Sequence, residues 1–149
     1  YVVTFRESLL AHAKELGMTV IESEHYEADS FDAQHFVSTV FAHPDRPTAI
    51  INQANASVLS QVLMALHDAG MSIPQDVSVL SCGTYFEGEP TRFPITEMPV
   101  MPEELCAEAM NLLVSAIEEH TDIKGSVELI EPALKRRGSV AEAGSGGTI

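Results

Sequence analysis

The sequence predicts an α/β fold in which helices flank a parallel, Rossmann-like sheet. Residues 47–52 read Pro-Thr-Ala-Ile-Ile-Asn, residues 57–70 carry apolar side chains at helical spacing, and residues 77–80 read Val-Ser-Val-Leu. Because few residues separate these segments, they predict a strand, a crossover helix and a second strand that lies parallel to the first. Ligands of parallel sheets bind at the loops that follow the strands, so function is expected in those loops.

The rest of the chain continues this alternation of helices and strands. Apolar residues at helical spacing predict further helices over 5–16, 36–41 and 102–120. Short apolar runs predict further strands at 18–21 and 127–130, with a short extended segment at 95–98. Few parallel strands precede the helix at 102–120, and such a sheet is thin. We therefore expect one lobe of a larger protein, or a sheet that dimerisation completes.

Charge and length exclude several classes of protein. The chain has 149 residues, and 22 acidic residues against 8 Lys and Arg give it a net charge of −14. Such a chain is repelled by DNA and by anionic membranes. No apolar run approaches the roughly 20 residues that span a bilayer, and residues 1–7 lack the layout of a signal peptide. We therefore expect a cytoplasmic protein that contacts no membrane and does not bind DNA by itself.

Sequence signatures of catalysis and of cofactor binding are absent. No Gly-x-Ser-x-Gly, Gly-x-Gly-x-x-Gly or Walker sequence occurs, so we expect neither an enzyme nor a bound cofactor. Cys82 and Cys106 have no metal-ligand or disulfide spacing and are predicted to be small buried hydrophobes. His25 and His35 flank a loop that contains two aspartates, but no two histidines have i, i+4 spacing and we expect no metal site.

A longer pattern runs through most of the chain. Residues 46–51 read Arg-Pro-Thr-Ala-Ile-Ile, residues 54–56 read Ala-Asn-Ala, and residues 70–79 read Gly-Met-Ser-Ile-Pro-Gln-Asp-Val-Ser-Val. They are followed in order by Pro-Ile-Thr-Glu-Met at 94–98, Pro-Glu-Glu-Leu at 102–105 and Pro-Ala-Leu-Lys-Arg-Arg-Gly-Ser at 132–139. Together with the helix that ends at Gly17, this pattern resembles the C-terminal ligand-binding half of lactose-repressor/galactose-repressor (LacI/GalR) transcription regulators.

The resemblance implies one lobe of a periplasmic-binding-protein-like type I fold, in which two Rossmann-like lobes hold a small effector between them. Residues 1–138 are then the C-terminal effector-binding and dimerisation lobe of a repressor, and residues 139–149 are a flexible tail. The DNA-binding helices and most of the first lobe are expected outside this chain, so that DNA is contacted only through them. The resemblance also implies a homodimer, and a helix at 102–120 that packs on the other lobe.

Three loops that follow predicted strands are expected to meet the effector, namely 22–31, 53–57 and 81–93. By resemblance, Asn55 matches an asparagine that ends the second of these strands in the family. Its amide can donate and accept, which suits a hydroxyl-rich ligand. Asn55 is equally suited to cap the helix that follows, and Ser57 competes for that cap.

Two expected ligand contacts depart from the family pattern. Gly83 stands where the family usually has an acidic residue, and Tyr1 stands where it commonly has an arginine that binds the effector. Their loss removes two charge-assisted contacts of roughly 1.5–3 kcal/mol each. Either the pocket takes a less polar ligand, or a sugar or a nucleoside- or purine-like effector meets other side chains of these loops. The candidates are Tyr26, Thr84, Tyr85 and Phe86, although Tyr85 and Phe86 also suit covering the end of the sheet.

Two other functions remain as alternatives. A solute-binding protein that feeds a transporter uses the same fold, and a signal peptide upstream of Tyr1 would indicate it, whereas a helix-turn-helix would indicate a regulator. The basic ending at 135–139 resembles the regulators more closely. A flavodoxin- or receiver-like domain is the third class, but the segments 51–53 and 80–82 lack the acids that a receiver needs.

Overall fold

The centre of the fold is a sheet of three parallel strands. The computed structural model describes residues 2–23, 30–82, 93–100, 102–125 and 130–142. The strands are β1 (Ala49–Asn52), β2 (Ser78–Cys82) and β3 (Thr96–Met98), and they lie side by side in the order β1-β2-β3. Both pairings are parallel, which confirms the predicted α/β fold with a parallel sheet.

Four helices accompany the sheet in the described residues. They are α1 (Val2–Glu15), α2 (Ala33–Val40), α3 (Ala56–Asp68) and α4 (Pro102–Glu119). Each predicted helix is thereby confirmed to within a few residues at its ends. The helix α3 connects β1 to the parallel strand β2, as the short connections around residues 47–80 predict.

The prediction of a strand at 18–21 is wrong. Residues 18–23 pair with no strand in the described part of the chain, and Met18 and Ile21 are 61% and 58% exposed. A β-branched apolar run becomes a strand only where a neighbouring strand supplies hydrogen bonds and side-chain contacts, because β-propensity depends on context. The strand predicted at 127–130 lies almost entirely outside the described residues.

The hydrophobic core lies between one face of the sheet and the helices α2 and α3. Leu59, Leu63 and Leu66 of α3 are almost inaccessible to solvent, and they pack in the same cluster as Val79 of β2. Burying a leucine side chain completely contributes roughly 1.5–3 kcal/mol. These contacts therefore hold α3 over the strands that it connects.

The C-terminal end of α3 explains the glycine of the 70–79 signature. Gly70 has a φ of 75°, a left-handed conformation that other residues adopt at a cost. Its N–H donates to the carbonyl of His67 at 2.9 Å, and the N–H of Met71 donates to the carbonyl of Leu66 at 3.0 Å. This pair of hydrogen bonds is a Schellman motif, which satisfies carbonyls that the helix end leaves without partners.

The aspartate of the same signature holds the turn that leads into β2. The Asp76 carboxylate accepts a hydrogen bond from the Ser72 N–H at 2.8 Å, and it lies 3.6 Å from the Arg46 guanidinium. The turn therefore also contacts Arg46, three residues before the start of β1. These contacts of Asp76 lie at the amino-terminal edge of the sheet, opposite the edge where ligands of such folds bind.

The C-terminal segment runs along the outer edge of β3. Glu97 and Lys135 exchange two backbone hydrogen bonds of 2.8 and 3.0 Å in an antiparallel bridge. The Ser139 hydroxyl donates to the Val79 carbonyl at 2.6 Å and accepts from the Thr96 N–H at 2.7 Å. Ser139 is 3% exposed and is thus anchored between β2 and β3. The tail at 139–149 stays a prediction, since most of it, residues 143–149, lies outside the described part.

The helix α4 leaves large apolar side chains in solvent. Ala116 is the buried residue of α4, and five large apolar residues of this helix are exposed: Leu105, Met110, Leu113, Val114 and Ile117. In α1, Ala13 is buried. In the described residues, no helix combines the length and the apolar character that crossing a bilayer requires.

Replacing Gly70 by alanine is expected to destabilise the protein by about 1 kcal/mol, because an L-residue is strained at a positive φ. No heavy atom lies within 4 Å of the added Cβ, so steric crowding contributes nothing. Urea unfolding of the intact protein measures the change. The matched variant is Gly70→Asn, which should lose less stability than Gly70→Ala because asparagine tolerates the left-handed conformation better than alanine. A Gly70→Ala protein as stable as the wild type would contradict the account of this helix end.

Candidate functional site

The candidate site is the edge of the sheet where the parallel strands end. Because β1 and β2 are parallel and in register, Asn52 lies beside Ser81 near the carboxyl end of both strands. Cys82, the last residue of β2, lies beside Met98, the last residue of β3. The loops that follow β1 and β2 therefore start from the same edge, as the sequence predicts for segments 53–57 and 81–93.

A row of buried polar residues crosses the sheet just inside this edge. Asn52 is aligned with Ser81, and Ser81 is aligned with Glu97 of β3, so the three side chains share one face of the sheet. They are 8%, 1% and 5% exposed respectively. On the same face and further from the edge, Val79 belongs to the apolar core. The face therefore changes from apolar to polar as it approaches the candidate site.

Asn52 connects this row to the loop after β1. Its side-chain Nδ2 donates to the Ala54 carbonyl at 3.0 Å and to the Ser81 hydroxyl at 3.4 Å. Buried amides are stable only with such partners, because a lost hydrogen bond there costs about 1–3 kcal/mol. Asn52 thus fixes the course of the chain over the two residues that lead to Asn55.

Asn55 is the N-cap of α3. Its backbone is extended, and its side-chain Oδ1 accepts a hydrogen bond from the Val58 N–H at 3.0 Å. Ser57, which competes for this role in the sequence, lies inside the first turn of α3. The side chain of Asn55 is exposed, and the cap uses only its carbonyl oxygen. Its amide N–H groups are therefore compatible with a ligand contact, which stays a prediction.

The other end of the polar row is an ion pair. Arg137 Nη2 lies 2.5 Å from Glu97 Oε1, and Arg137 Nη1 donates to the Ile95 carbonyl at 3.2 Å. In the described residues, no hydrogen bond of regular geometry reaches Glu97 Oε1, so charge attraction stabilises this buried oxygen. A buried carboxylate without such a partner would carry a large desolvation penalty.

The two cysteines differ in their surroundings. Cys82 is 3% exposed, and burial raises the pKa of its thiol. It is a neutral, small apolar residue at the end of β2, as predicted. The same prediction for Cys106 is wrong, because this residue is exposed on α4, on a part of the helix that no described element covers. In the part of the chain that the structure describes, no group of three His, Cys, Asp or Glu residues could hold a metal ion.

Six of the seven predicted ligand-binding residues lie outside the described residues: Tyr1, Tyr26, Gly83, Thr84, Tyr85 and Phe86. Their roles stay predictions. Asn52 and Ser81 are the polar residues at this edge that the sequence reasoning missed. The signal is present in the sequence, since each is a polar side chain near the end of a largely apolar strand.

A groove elsewhere in the molecule is a poorer candidate. It has a volume of about 470 Å³ and lies between the start of α2 and the helix α3. Its lining includes Asp32, Gln34 and Asp68, and the last two are joined by a 3.0 Å hydrogen bond across it. The Asp32 carboxylate already accepts a hydrogen bond from the His35 N–H as the N-cap of α2. These three polar side chains of the groove are thus engaged within the protein.

Comparison with known families gives a match over almost the whole chain. Residues 1–140 match the family model of the periplasmic binding protein-like domain. No curated protein matches the chain. A solved structure of a LacI family transcriptional regulator from Bifidobacterium animalis subsp. lactis is 24% identical with a TM-score of 0.71, and the match covers 95% of this chain and 51% of that chain.

Two further solved structures contain sugars. A LacI family transcriptional regulator from Arthrobacter sp. FB24 in complex with lactose is 22% identical with a TM-score of 0.65, over 91% of this chain and 51% of that one. A LacI family transcriptional regulator from Lactobacillus casei with bound sucrose is 18% identical with a TM-score of 0.61, over 90% of this chain and 50% of that one. At these identities the likeness shows the fold, and the chain spans about half the length of the proteins it matches.

Replacing Asn55 separates its two roles. Asn55→Ala removes the cap and is expected to destabilise the protein by about 1 kcal/mol, whereas Asn55→Asp keeps an oxygen that accepts from the Val58 N–H and preserves most of the stability. Both variants lose the amide donors, so both should bind an effector more weakly if Asn55 contacts it.

Thermal unfolding with and without effector measures the two roles in the intact protein. Ser57→Ala is the control, with an expected change within about 0.5 kcal/mol because its side chain is exposed. An Asn55→Asp protein with unchanged effector affinity would limit Asn55 to its capping role.

Proposed function

Because the chain belongs to the periplasmic binding protein-like domain family, we propose that it is the effector-sensing lobe of a LacI-type transcription regulator. In this proposal a small molecule binds at the carboxyl edge of the sheet, between this lobe and a second one. The observation that carries the proposal is the convergence of the ends of β1 and β2 on one edge, with buried Asn52 and Ser81 beside each other there. Ligands of open parallel sheets bind outside such an edge.

The likeness to sugar-bound regulators supports the choice of ligand class. Two proteins of this fold are described with lactose and with sucrose, which are rich in hydroxyl groups. The exposed amide of Asn55 can donate to hydroxyl oxygens and so suits such a molecule. Glycine at 83 and tyrosine at 1 leave out two charged contacts, so a less polar molecule, or a nucleoside- or purine-like one, belongs in the same proposal.

The exposed apolar surface of α4 supports the proposal of a second lobe. A soluble domain rarely leaves a row of large apolar side chains in water unless another surface covers it. The chain spans about half the length of its matches, so a second lobe is a suitable cover for Leu113, Val114 and Ile117. We propose that α4 packs on that lobe, and that the chain from β3 to α4 forms part of the connection.

In this proposal, the effector regulates the protein because its affinity differs between the open and the closed arrangement of the two lobes. An effector that contacts both lobes binds the closed arrangement more tightly than the open one, and it shifts the population by that difference. The shift changes the geometry of DNA-binding domains that lie outside this chain. We propose that this regulator is a cytoplasmic homodimeric repressor with no catalytic activity and no cofactor. The acidic chain, with a net charge of −14, leaves DNA contact to those other domains.

A thermal-shift screen of sugars, nucleosides and purines on the intact protein tests the ligand class. A selective effector at 100 times its Kd is expected to stabilise the folded protein by about 2.7 kcal/mol. Calorimetry then compares the intact protein with a chain limited to this lobe, which should bind far more weakly because it supplies half of the cleft. Equal affinities would contradict the shared cleft, and a screen without any stabilising compound would contradict effector sensing.

Replacing Ile117 by glutamine tests the covered surface of α4. This residue is 65% exposed in the lobe, so on its own the substitution should change stability by less than about 0.5 kcal/mol. If a second lobe covers it, the intact protein should lose roughly 1–3 kcal/mol on urea unfolding. Glu118→Gln, at the adjacent exposed position, is the control. An intact Ile117→Gln protein with wild-type stability would show that no lobe packs there.

A further inference from the structure

The buried polar row has a role that the fold alone does not require. Parallel strands covered by helices are usually apolar on the covered face, and Val79 and Ile95 follow this rule. Asn52, Ser81 and Glu97 break it at three aligned positions. Polar groups at such depth cost free energy unless each is satisfied, so the row has a cost that a purely structural sheet could avoid with valine or alanine.

Both ends of the row are connected to segments outside the sheet. At one end, Asn52 donates to the Ala54 carbonyl and to the Ser81 hydroxyl. The chain continues from Ala54 to Asn55, whose side chain caps α3. At the other end, Glu97 is paired with Arg137 and bridged to Lys135 by its backbone. The row thus runs from the loop after β1 to the C-terminal segment.

We propose that Asn52, Ser81 and Glu97 form a positioning row for Asn55, with Ser81 as its central residue and the Glu97–Arg137 pair as its fixed end. The row sets where the loop 53–55 leaves β1 and hence where the amide of Asn55 projects at the candidate site. Ser81 contributes through its hydroxyl, which receives the second hydrogen bond of the Asn52 amide. None of the three residues needs to touch the effector. That Asn55 contacts an effector rests on the function proposed above. That the row fixes the position of the loop 53–55 does not rest on it.

The Glu97–Arg137 pair belongs to a group of contacts between the C-terminal segment and β3. Arg137 also donates from its backbone N–H to Thr96 Oγ1 at 3.1 Å and from Nη1 to the Ile95 carbonyl. The C-terminal segment is therefore fastened to three successive residues, Ile95 and the first two residues of β3, and the carboxylate of Glu97 has little freedom to move. Glu97 is the register partner of Ser81 on the neighbouring strand, so these contacts fasten the strand that lies beside Ser81 on the side away from Asn52.

Native-state hydrogen exchange on the intact protein tests the row without any ligand. Ser81→Ala removes one neutral hydrogen bond from Asn52, so the Val58 amide, which donates to Asn55 Oδ1, should exchange about five-fold faster. Ser78→Ala is the matched control, because Ser78 lies on the same strand but on the other face and bonds to Ala141. It should accelerate the Ala141 amide and leave the Val58 amide unchanged.

The fixed end is tested in the same measurement. Arg137→Met should also accelerate the Val58 amide, and the double variant with Ser81→Ala should give less than the product of the two single effects, since residues of one network are coupled. Arg136→Met, at an exposed neighbouring position, should have no effect there.

Three results would overturn the proposal. They are an unchanged Val58 amide in Ser81→Ala, an equal response to Ser78→Ala, and effects of Ser81→Ala and Arg137→Met that simply multiply. Effector affinity is measured separately in the same variants. A protein that binds no effector, but shows the coupled exchange, would reject the proposed function and leave the positioning row in place.

Discussion

The crossover from β1 through α3 to β2 is the constraint on which the rest of the structure depends. A strand, a helix and a second strand joined by short loops can only make the two strands parallel. Leu59, Leu63 and Leu66 hold the helix against the sheet, and the Schellman motif at Gly70 turns the chain back towards β2. Parallel strands end at the same edge, and this brings Asn52 and Ser81 together there.

The polar row and the apolar core divide one face of the sheet between them. Core packing supplies stability but tolerates small shifts of the strands. Hydrogen bonds and ion pairs have narrower geometry, and they are unfavourable at depth unless they are complete. These polar interactions lie beside the candidate site rather than across the whole face of the sheet. They therefore fix atomic positions most narrowly at the place where a ligand would bind. The C-terminal segment also fixes the position of β3, because Arg137 pairs with Glu97 and Ser139 accepts a hydrogen bond from Thr96.

Sequence reasoning predicted those parts of the fold whose causes are local. Helical periodicity, capping residues and the glycine at 70 act within a few residues, and the helices and the β1–α3–β2 unit were predicted correctly. The segment 18–21 has the composition of a strand, but a strand needs a neighbour, and composition carries no information about the neighbour. Cys106 is exposed for a similar reason, because burial on α4 depends on what covers that helix.

The site was harder to predict than the fold because its geometry is set by register. Asn52, Ser81 and Glu97 are separated by many residues in the chain, and only the pairing of three strands aligns them. The resemblance to the family predicts Asn55 as a ligand contact, and its residue type predicts it as a helix N-cap. The structure shows the cap. Ser139 is the first residue of the predicted tail, and its two hydrogen bonds to neighbouring strands depend on long-range contacts that local composition does not encode.

The central claim is that the carboxyl edge of this sheet forms half of a small-molecule site. A crystal structure of the intact protein with its effector tests this most directly. The account predicts ligand atoms within hydrogen-bond distance, about 3 Å, of residues in the loops 53–57 and 81–93. An effector bound elsewhere, for example in the groove between α2 and α3, with those loops far from it, would contradict the account.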